Sequence, residues 1–168
     1  SNQIYVLTNA GIYKTINNGL TWVNLGLPDN STNKIACYED VVYAADNRAL
    51  GSIWKKDGIS GSWIKISGNL PSSGMRSISA NANFFFALTS NGIFRTGNSG
   101  NNWVLLDSNL TCTSPQGISV SGSEIYVGCS QGSAYSRSNG VVFKSYQQTY
   151  CREVFDVALS ENHWIAAT

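Results

Sequence analysis

Hydrophobic positions along the chain fall into short runs rich in β-branched and aromatic residues, separated by Gly, Asn, Ser and Pro. One kind of run is "IYVLT" (Ile4 to Thr8), "VVYAA" (Val41 to Ala45), "FFALT" (Phe85 to Thr89) and "IYVGC" (Ile125 to Cys129). A second kind is "IYKT", "IWKK" and "IFRT", which follow Gly11, Ser52 and Gly92. A third opens on an aromatic residue: "TWVNL", "SWIKI", "NWVLL" and "VFKSY". A fourth centres on Ile35, Ile78, Ile118 and Val157. Runs of this length and make-up, bounded by turn residues, predict β-strands. In chain order within each unit they are strands A (around Ile35 and its counterparts), B ("IYVLT"), C ("IYKT") and D ("TWVNL").

The aromatic residue that opens strand D stands at Trp22, Trp63, Trp103 and Phe143, so it recurs after 41, 40 and 40 residues. A period near 40 with four strands per unit is the signature of a propeller blade. The fold class expected is all-β: a β-propeller of four-stranded antiparallel blades, with four repeats of about 40 residues. The units run approximately 1–32, 33–73, 74–113 and 114–152, followed by a partial unit, 153–168. "WIAAT" (Trp164 to Thr168) matches "IYVLT" 160 residues earlier, so a fifth unit is entered and not finished. A closed four-bladed ring has no place for a second copy of that strand. The expectation is therefore a part of a larger propeller or blade array, not a closed ring.

Between strands C and D lies the same turn: "TINNGLTW" (Thr15 to Trp22), "TGNSGNNW" (Thr96 to Trp103) and "SRSNGVVF" (Ser136 to Phe143), with a worn copy, "KDGISGSW" (Lys56 to Trp63). Asn and Gly accept the positive φ that a tight hairpin needs, and Asn or Ser side chains can bond the turn backbone. The four aromatics are expected to be equivalent and largely buried. The turn resembles the Asp-box, or BNR repeat, S-x-D-x-G-x-T-W. Thr15, Asn17, Gly19, Thr21 and Trp22 fit it, with Asn in place of Asp; so do Thr96, Asn98, Gly100 and Trp103, and Ser136, Gly140 and Phe143, while the worn copy keeps Ser62 and Trp63. With "GLP" (Gly26 to Pro28) and "NLP" (Asn69 to Pro71) after strand D, the whole chain resembles bacterial secreted propellers of the sialidase/sortilin-like superfamily. That resemblance implies the propeller fold. It implies little about activity, because the Asp-box is a structural hairpin that usually lies away from the active site.

Composition narrows the function. Charged residues make up only 12%, and the net charge is +1. No basic footprint for nucleic acid is present, nor a polybasic membrane patch, and no apolar run approaches the roughly 20 residues of a membrane span. The four cysteines, Cys37, Cys112, Cys129 and Cys151, form no C-x-x-C pair, and His163 is the one histidine. That inventory does not suit zinc, and neither a metal nor another cofactor is expected. Cys112 and Cys151 hold the same place in successive loops between strands D and A, which makes them the candidate disulfide, within the geometric window such a bond needs; Cys37 and Cys129 are expected to be small buried side chains. Two sequons, at Asn30 and Asn109, are glycosylation candidates.

No catalytic constellation emerges. Lys14, Lys55, Arg95 and Arg137 fall in or at the ends of C strands and read as solvated positions. The F/Y-R-I-P motif of sialidases is absent. Glu39, Glu124 and Glu161 fall in A–B turns and Asp57 in a C–D turn, a shared face of exposed hairpins. Asp156, next to Val157, is the carboxylate placed to face a central channel, and His163 is expected in an A–B turn, opposite the binding face. The B–C and D–A loops share the other face, and loops carry function more often than scaffold does. Asp46, Arg48, Arg76, Tyr150 and Arg152 are the candidate binding residues there. The reading is a non-catalytic, extracellular or cell-surface propeller module that binds protein or glycan, with self-assembly open to it. Its rivals are a fragment of a sialidase- or glycoside-hydrolase-type enzyme whose catalytic residues lie outside the chain, and a structural repeat of a surface filament.

Overall fold

The computed structural model describes residues 3–46, 51–71, 74–97, 99–106, 110, 114–146, 154, 156–160 and 163–167. It is a β-propeller blade array, all-β among the described residues, built of antiparallel sheets in chain order. The first sheet joins β1 (Ile4–Thr8), β2 (Gly11–Thr15) and β3 (Val23–Asn24). The second joins β4 (Thr32–Tyr38), β5 (Val41–Asp46), β6 (Ile53–Asp57) and β7 (Ile64–Lys65). The third joins β8 (Met75–Ala80), β9 (Phe85–Thr89), β10 (Gly92–Thr96) and β11 (Val104–Leu105). The fourth joins β12 (Pro115–Ser121), β13 (Glu124–Cys129), β14 (Ser133–Ser136) and β15 (Lys144–Tyr146). Last come β16 (Asp156–Ser160) and β17 (His163–Ala167). His163 opens β17, where a turn position was expected.

The C–D turn holds itself together through one hydroxyl. Thr15 Oγ1 donates to Asn17 Oδ1 (2.9 Å) and accepts from the backbone N–H of Asn17 (3.3 Å) and of Gly19 (3.0 Å). Asn17 Oδ1 in turn accepts from Thr21 N (3.0 Å), and its amide donates to Thr21 Oγ1 (2.9 Å). Ser136 and Ser138 repeat the arrangement: Gly140 N donates to Ser136 Oγ (3.1 Å) and Val142 N to Ser138 Oγ (3.2 Å). In the third turn Gly100 N donates to Thr96 Oγ1 (3.1 Å), while Asn98 lies outside the described residues. The hydroxyls of Thr15, Thr96 and Ser136 are buried, so each must find its partners within the turn. In the worn second copy Lys56 stands at the hydroxyl position, and its ammonium donates to the Gly61 carbonyl instead.

The core lies between blades. Ile12 and Leu25 of the first sheet pack against Val42, Ala44 and Trp63 of the second. Ala45, Ile53 and Ile66 of the second meet Phe85, Ala87 and Trp103 of the third, where Tyr43 stacks on Phe85 with ring centroids 4.1 Å apart. Phe86, Leu88, Ile93 and Leu106 of the third meet Ile125, Val127 and Phe143 of the fourth.

Expected burial of the four turn aromatics therefore needs one correction. Trp103 and Phe143 are buried and Trp63 is half-buried, but Trp22 is 42% exposed. The physical reason is positional. Trp63 and Trp103 donate their indole N–H to the carbonyls of Leu25 (3.1 Å) and Ile66 (3.3 Å) in the preceding blade. Trp22 has no described blade before it, and its indole donates to Gly19 O of its own turn (3.0 Å).

The cationic C-strand positions also differ from the solvated reading. Lys14 is buried, and its Nζ reaches Asp40 of the next blade at 2.6 Å. Arg95 donates to the Asn139 carbonyl at 2.6 Å and lies over the Phe84 ring. Both clip one blade to the next. Lys55 (with Asp57) and Arg137 (with Glu124) pair within their own blades.

Candidate functional site

The inner strands β4, β8, β12 and β16 line one axial channel of about 440 Å³. Their hydrophobic anchors, Ile35, Ile78, Ile118 and Val157, fix each strand against its blade. Each of the first three strands begins with a bulge at the same place: between Thr32 and Lys34, between Met75 and Ser77, and between Pro115 and Gly117. A bulge inserts an unpaired residue and re-aims its side chain. Here the extra residues are Asn33, Arg76 and Gln116. Arg76 and Gln116 line the channel, and the Arg76 guanidinium donates to Pro115 O (3.0 Å) and Gln116 Oε1 (3.1 Å).

Lys34 and Arg76 are the charged side chains among the described lining residues, with Ser77, Ser79, Ser119 and Gln116 between them. Two cations, with no acid among the described lining side chains, in a concave, partly desolvated groove attract carboxylate or phosphate. Cys37 also faces the channel. It is a free thiol, solvent-accessible rather than buried as expected, yet crowded enough that desolvation pushes its pKa up, against a smaller opposing pull from Lys14. A thiol held protonated is a poor nucleophile.

The sequence-predicted residues scatter. Arg76 stands in the channel wall. Asp46 is buried at the end of β5, where its carboxylate accepts from Ser52 N (3.3 Å); it caps the long B–C loop and presents nothing to solvent. Arg48, Tyr150 and Arg152 lie outside the described residues, as do Cys112, Cys151 and Asn109. Asn30 is exposed in its loop. Asp156 begins β16 on an inner strand. Glu39 and Asp40 sit in the β4–β5 turn and Asp57 at the end of β6, on the face away from the D–A loops. No two carboxylates face each other across the channel among the described side chains. Lys34 and Gln116 were not singled out by sequence; the signal available for Gln116 was that it stands two residues before Ile118, as Arg76 does before Ile78, while Lys34 directly precedes Ile35.

Cys129 is buried and disulfide-bonded, not the lone thiol expected. Its partner lies outside the described residues. Cys37 is free, and the candidate pair Cys112 and Cys151 lies outside the described residues.

No protein-family model matches the chain, and no curated protein matches it significantly. Solved structures do, and they are β-propellers. YCF48 bound to D1 peptide superposes with a TM-score of 0.65 at 20% identity, over 95% of this chain and 54% of that one. The GH74 enzyme of Niastella koreensis gives 0.67 at 19% identity, over 95% and 30%. A chain of the nidogen/laminin complex gives 0.68 at 16% identity, over 92% and 64%. The chain thus spans about half the length of the first of these propellers and less than two thirds of the others. At such identities the likeness defines the fold.

Proposed function

We propose that this chain is a non-catalytic propeller module that binds an acidic segment of a partner protein or an acidic glycan at the mouth of its axial channel. The observation that carries this reading is the pairing of Lys34 and Arg76 in a channel whose described lining contains no acid. Gln116 and the serines add hydrogen-bonding capacity that suits amide or hydroxyl groups of the same ligand. Propellers of this shape include one solved with a bound peptide and one solved with laminin, and also a glycoside hydrolase. The binding reading is preferred because a glycosidase needs two carboxyls across its cleft.

Within this reading the hydroxyl-centred turns are Asp-box turns in which Asn17 and Ser138 replace the Asp. The repeat units keep the boundaries near residues 32, 73, 113 and 152. An extracellular address fits a module with a disulfide at Cys129.

The test is fluorescence anisotropy with a fluorescein-labelled hexaglutamate peptide. Saturable binding is expected, weakening as salt is raised and falling at least several-fold in Lys34→Gln. Equal binding by parent and Lys34→Gln, or no saturable binding at low salt, would overturn the reading.

A further inference from the structure

The exposed side of the first blade has the make-up of a joint. Val42, Phe85 and Ile125 hold one repeat position on the B strands, and Ala44, Ala87 and Val127 another; all six turn toward the blade before and are 2% exposed or less. The residues at those positions in the first blade are Ile4 and Val6, which are 46% and 39% exposed. Trp22 completes the set. Val6, Thr8, Tyr13 and Trp22 line a shallow groove of about 340 Å³. Beside it β1 pairs only with β2 among the described residues, so no described strand takes its other edge. In the second to fourth sheets that edge is taken by an inner strand.

We infer that this face is a socket for one further four-stranded blade of the same repeat, together with the inner strand that β1 lacks. The occupant's chemistry is fixed by the three joints already present. It brings an aliphatic residue at the end of its outermost strand, as Leu25, Ile66 and Leu106 do. It also brings a free carbonyl there, as Leu25 and Ile66 offer to the indoles of Trp63 and Trp103. On docking, Trp22 turns its N–H from Gly19 O to that carbonyl. The inner strand satisfies the edge of β1. A bare amphipathic helix or a single extended peptide fits only one of these two features. A blade followed by its connecting inner strand fits both.

The chain itself supplies the probe. A second copy of residues 32–83, placed directly ahead of Gln3, provides a whole blade, β4–β7, and then β8 in register with β1. Hydroxyl-radical labelling read by peptide mass spectrometry reports Trp22 separately from the other tryptophans, with exposed Leu20 as internal reference. Trp22 labelling is expected to fall several-fold, to the level of Trp103, and the amides of Ile4 to Thr8 to exchange more slowly. Ile66→Asp in the added copy should restore the labelling. Unchanged Trp22 labelling, or an added blade that stays unfolded beside an intact array, would overturn the inference. So would concentration-dependent protection of Trp22 in the unextended chain, which would make a second copy the occupant. A further check needs no added blade: Val6→Asp should leave the melting temperature of the unextended chain nearly unchanged, whereas a collapse comparable to that of Val127→Asp would mean the face is already filled.

Discussion

The indole nitrogen of Trp63 lies 3.1 Å from the carbonyl oxygen of Leu25, and that of Trp103 lies 3.3 Å from the carbonyl of Ile66. Each bond crosses from one blade to the one before. Trp103 is also buried against Phe85, ring centroids 5.5 Å apart. Truncating Trp103 to Ala should cost about 3–5 kcal/mol, the usual figure for a buried aromatic. Trp22→Ala should cost well under half as much, since Trp22 has solvent on one side. Denaturant melts of the two variants check the ranking; equal losses would contradict the joint described here.

Gly19 and Gly100 both have left-handed backbones, with φ of +88° and +86°. Their surroundings differ. A Cβ on Gly19 would meet only the Trp22 ring at 3.7 Å, whereas one on Gly100 would stand 2.1 Å from the Ile66 carbonyl oxygen. Gly19→Ala should therefore cost about 1–2 kcal/mol, the conformational strain alone. Gly100→Ala should cost clearly more, because the third blade must also lift from the second. Thermal melts would show it as a lower transition for Gly100→Ala.

Thr15 Oγ1 makes three hydrogen bonds inside its turn while almost wholly buried. Thr15→Val keeps the shape and removes them all, leaving the N–H groups of Asn17 and Gly19 without a partner. A loss of about 1–3 kcal/mol is expected. Thr15→Ser should retain most of the stability, and equilibrium unfolding of the pair separates the hydroxyl's role from that of the methyl group.

The Lys14–Asp40 pair sets a pH signature. Hydrogen bonds from Lys14 and then Gln3 hold the Asp40 carboxyl below its ordinary value. Its contribution is present above the ordinary aspartate value and is lost as pH falls through the depressed one. For Lys14, burial pushes the pKa down, but hydrogen bonds with Asp40 and Tyr5 outweigh it and the net shift is upward. That contribution is present below the ordinary lysine value and is lost as pH rises through the raised one. Asp40→Asn should lower the melting temperature modestly at neutral pH, with the difference from the parent closing in strong acid. A difference that stays constant from neutral pH into strong acid would show that the pair is not what the substitution removed.

Cysteine pairing is checked by peptide mapping without reductant. Cys37 should alkylate in the folded protein, and Cys129 should appear in a cross-linked peptide with Cys112 or Cys151. Free Cys129 would remove the bridge and with it the support for an oxidising compartment.

Much of the fold was legible because a 40-residue period repeats the same physical requirements. A hydroxyl and a Gly meet in three of the four turns, beside an Asn or Ser, so the letters recur there. What the period cannot carry is the difference between equal letters in unequal places. Trp22 and Trp103 read alike, yet among the described residues Trp103 has a blade before it and Trp22 does not. Lys14 looked like a solvated strand residue because its partner, Asp40, lies 26 residues away in the next blade. The candidate site was the least legible part. Asp46 was singled out as a loop acid, but its position caps a loop from inside. Lys34 and Gln116 owe their access to the channel to the start of an inner strand, and Gln116, like Arg76, to a register irregularity that leaves little mark on composition.

The first two blades each carry both halves of a joint: an aromatic plug on one side, an aliphatic seat and an accepting carbonyl on the other. A gene segment encoding one such unit can be copied in tandem without compensating change, because the junction between copies is a junction that already works. Phe143 marks where that freedom has been used. It keeps the plug's bulk but has no N–H to donate, and between those two blades Arg95 reaches Asn139 O and Asn81 reaches Gly122 O instead. Once the indole donor at one seam is replaced by other side-chain donors, that seam can drift in sequence while its neighbours stay tied to tryptophan.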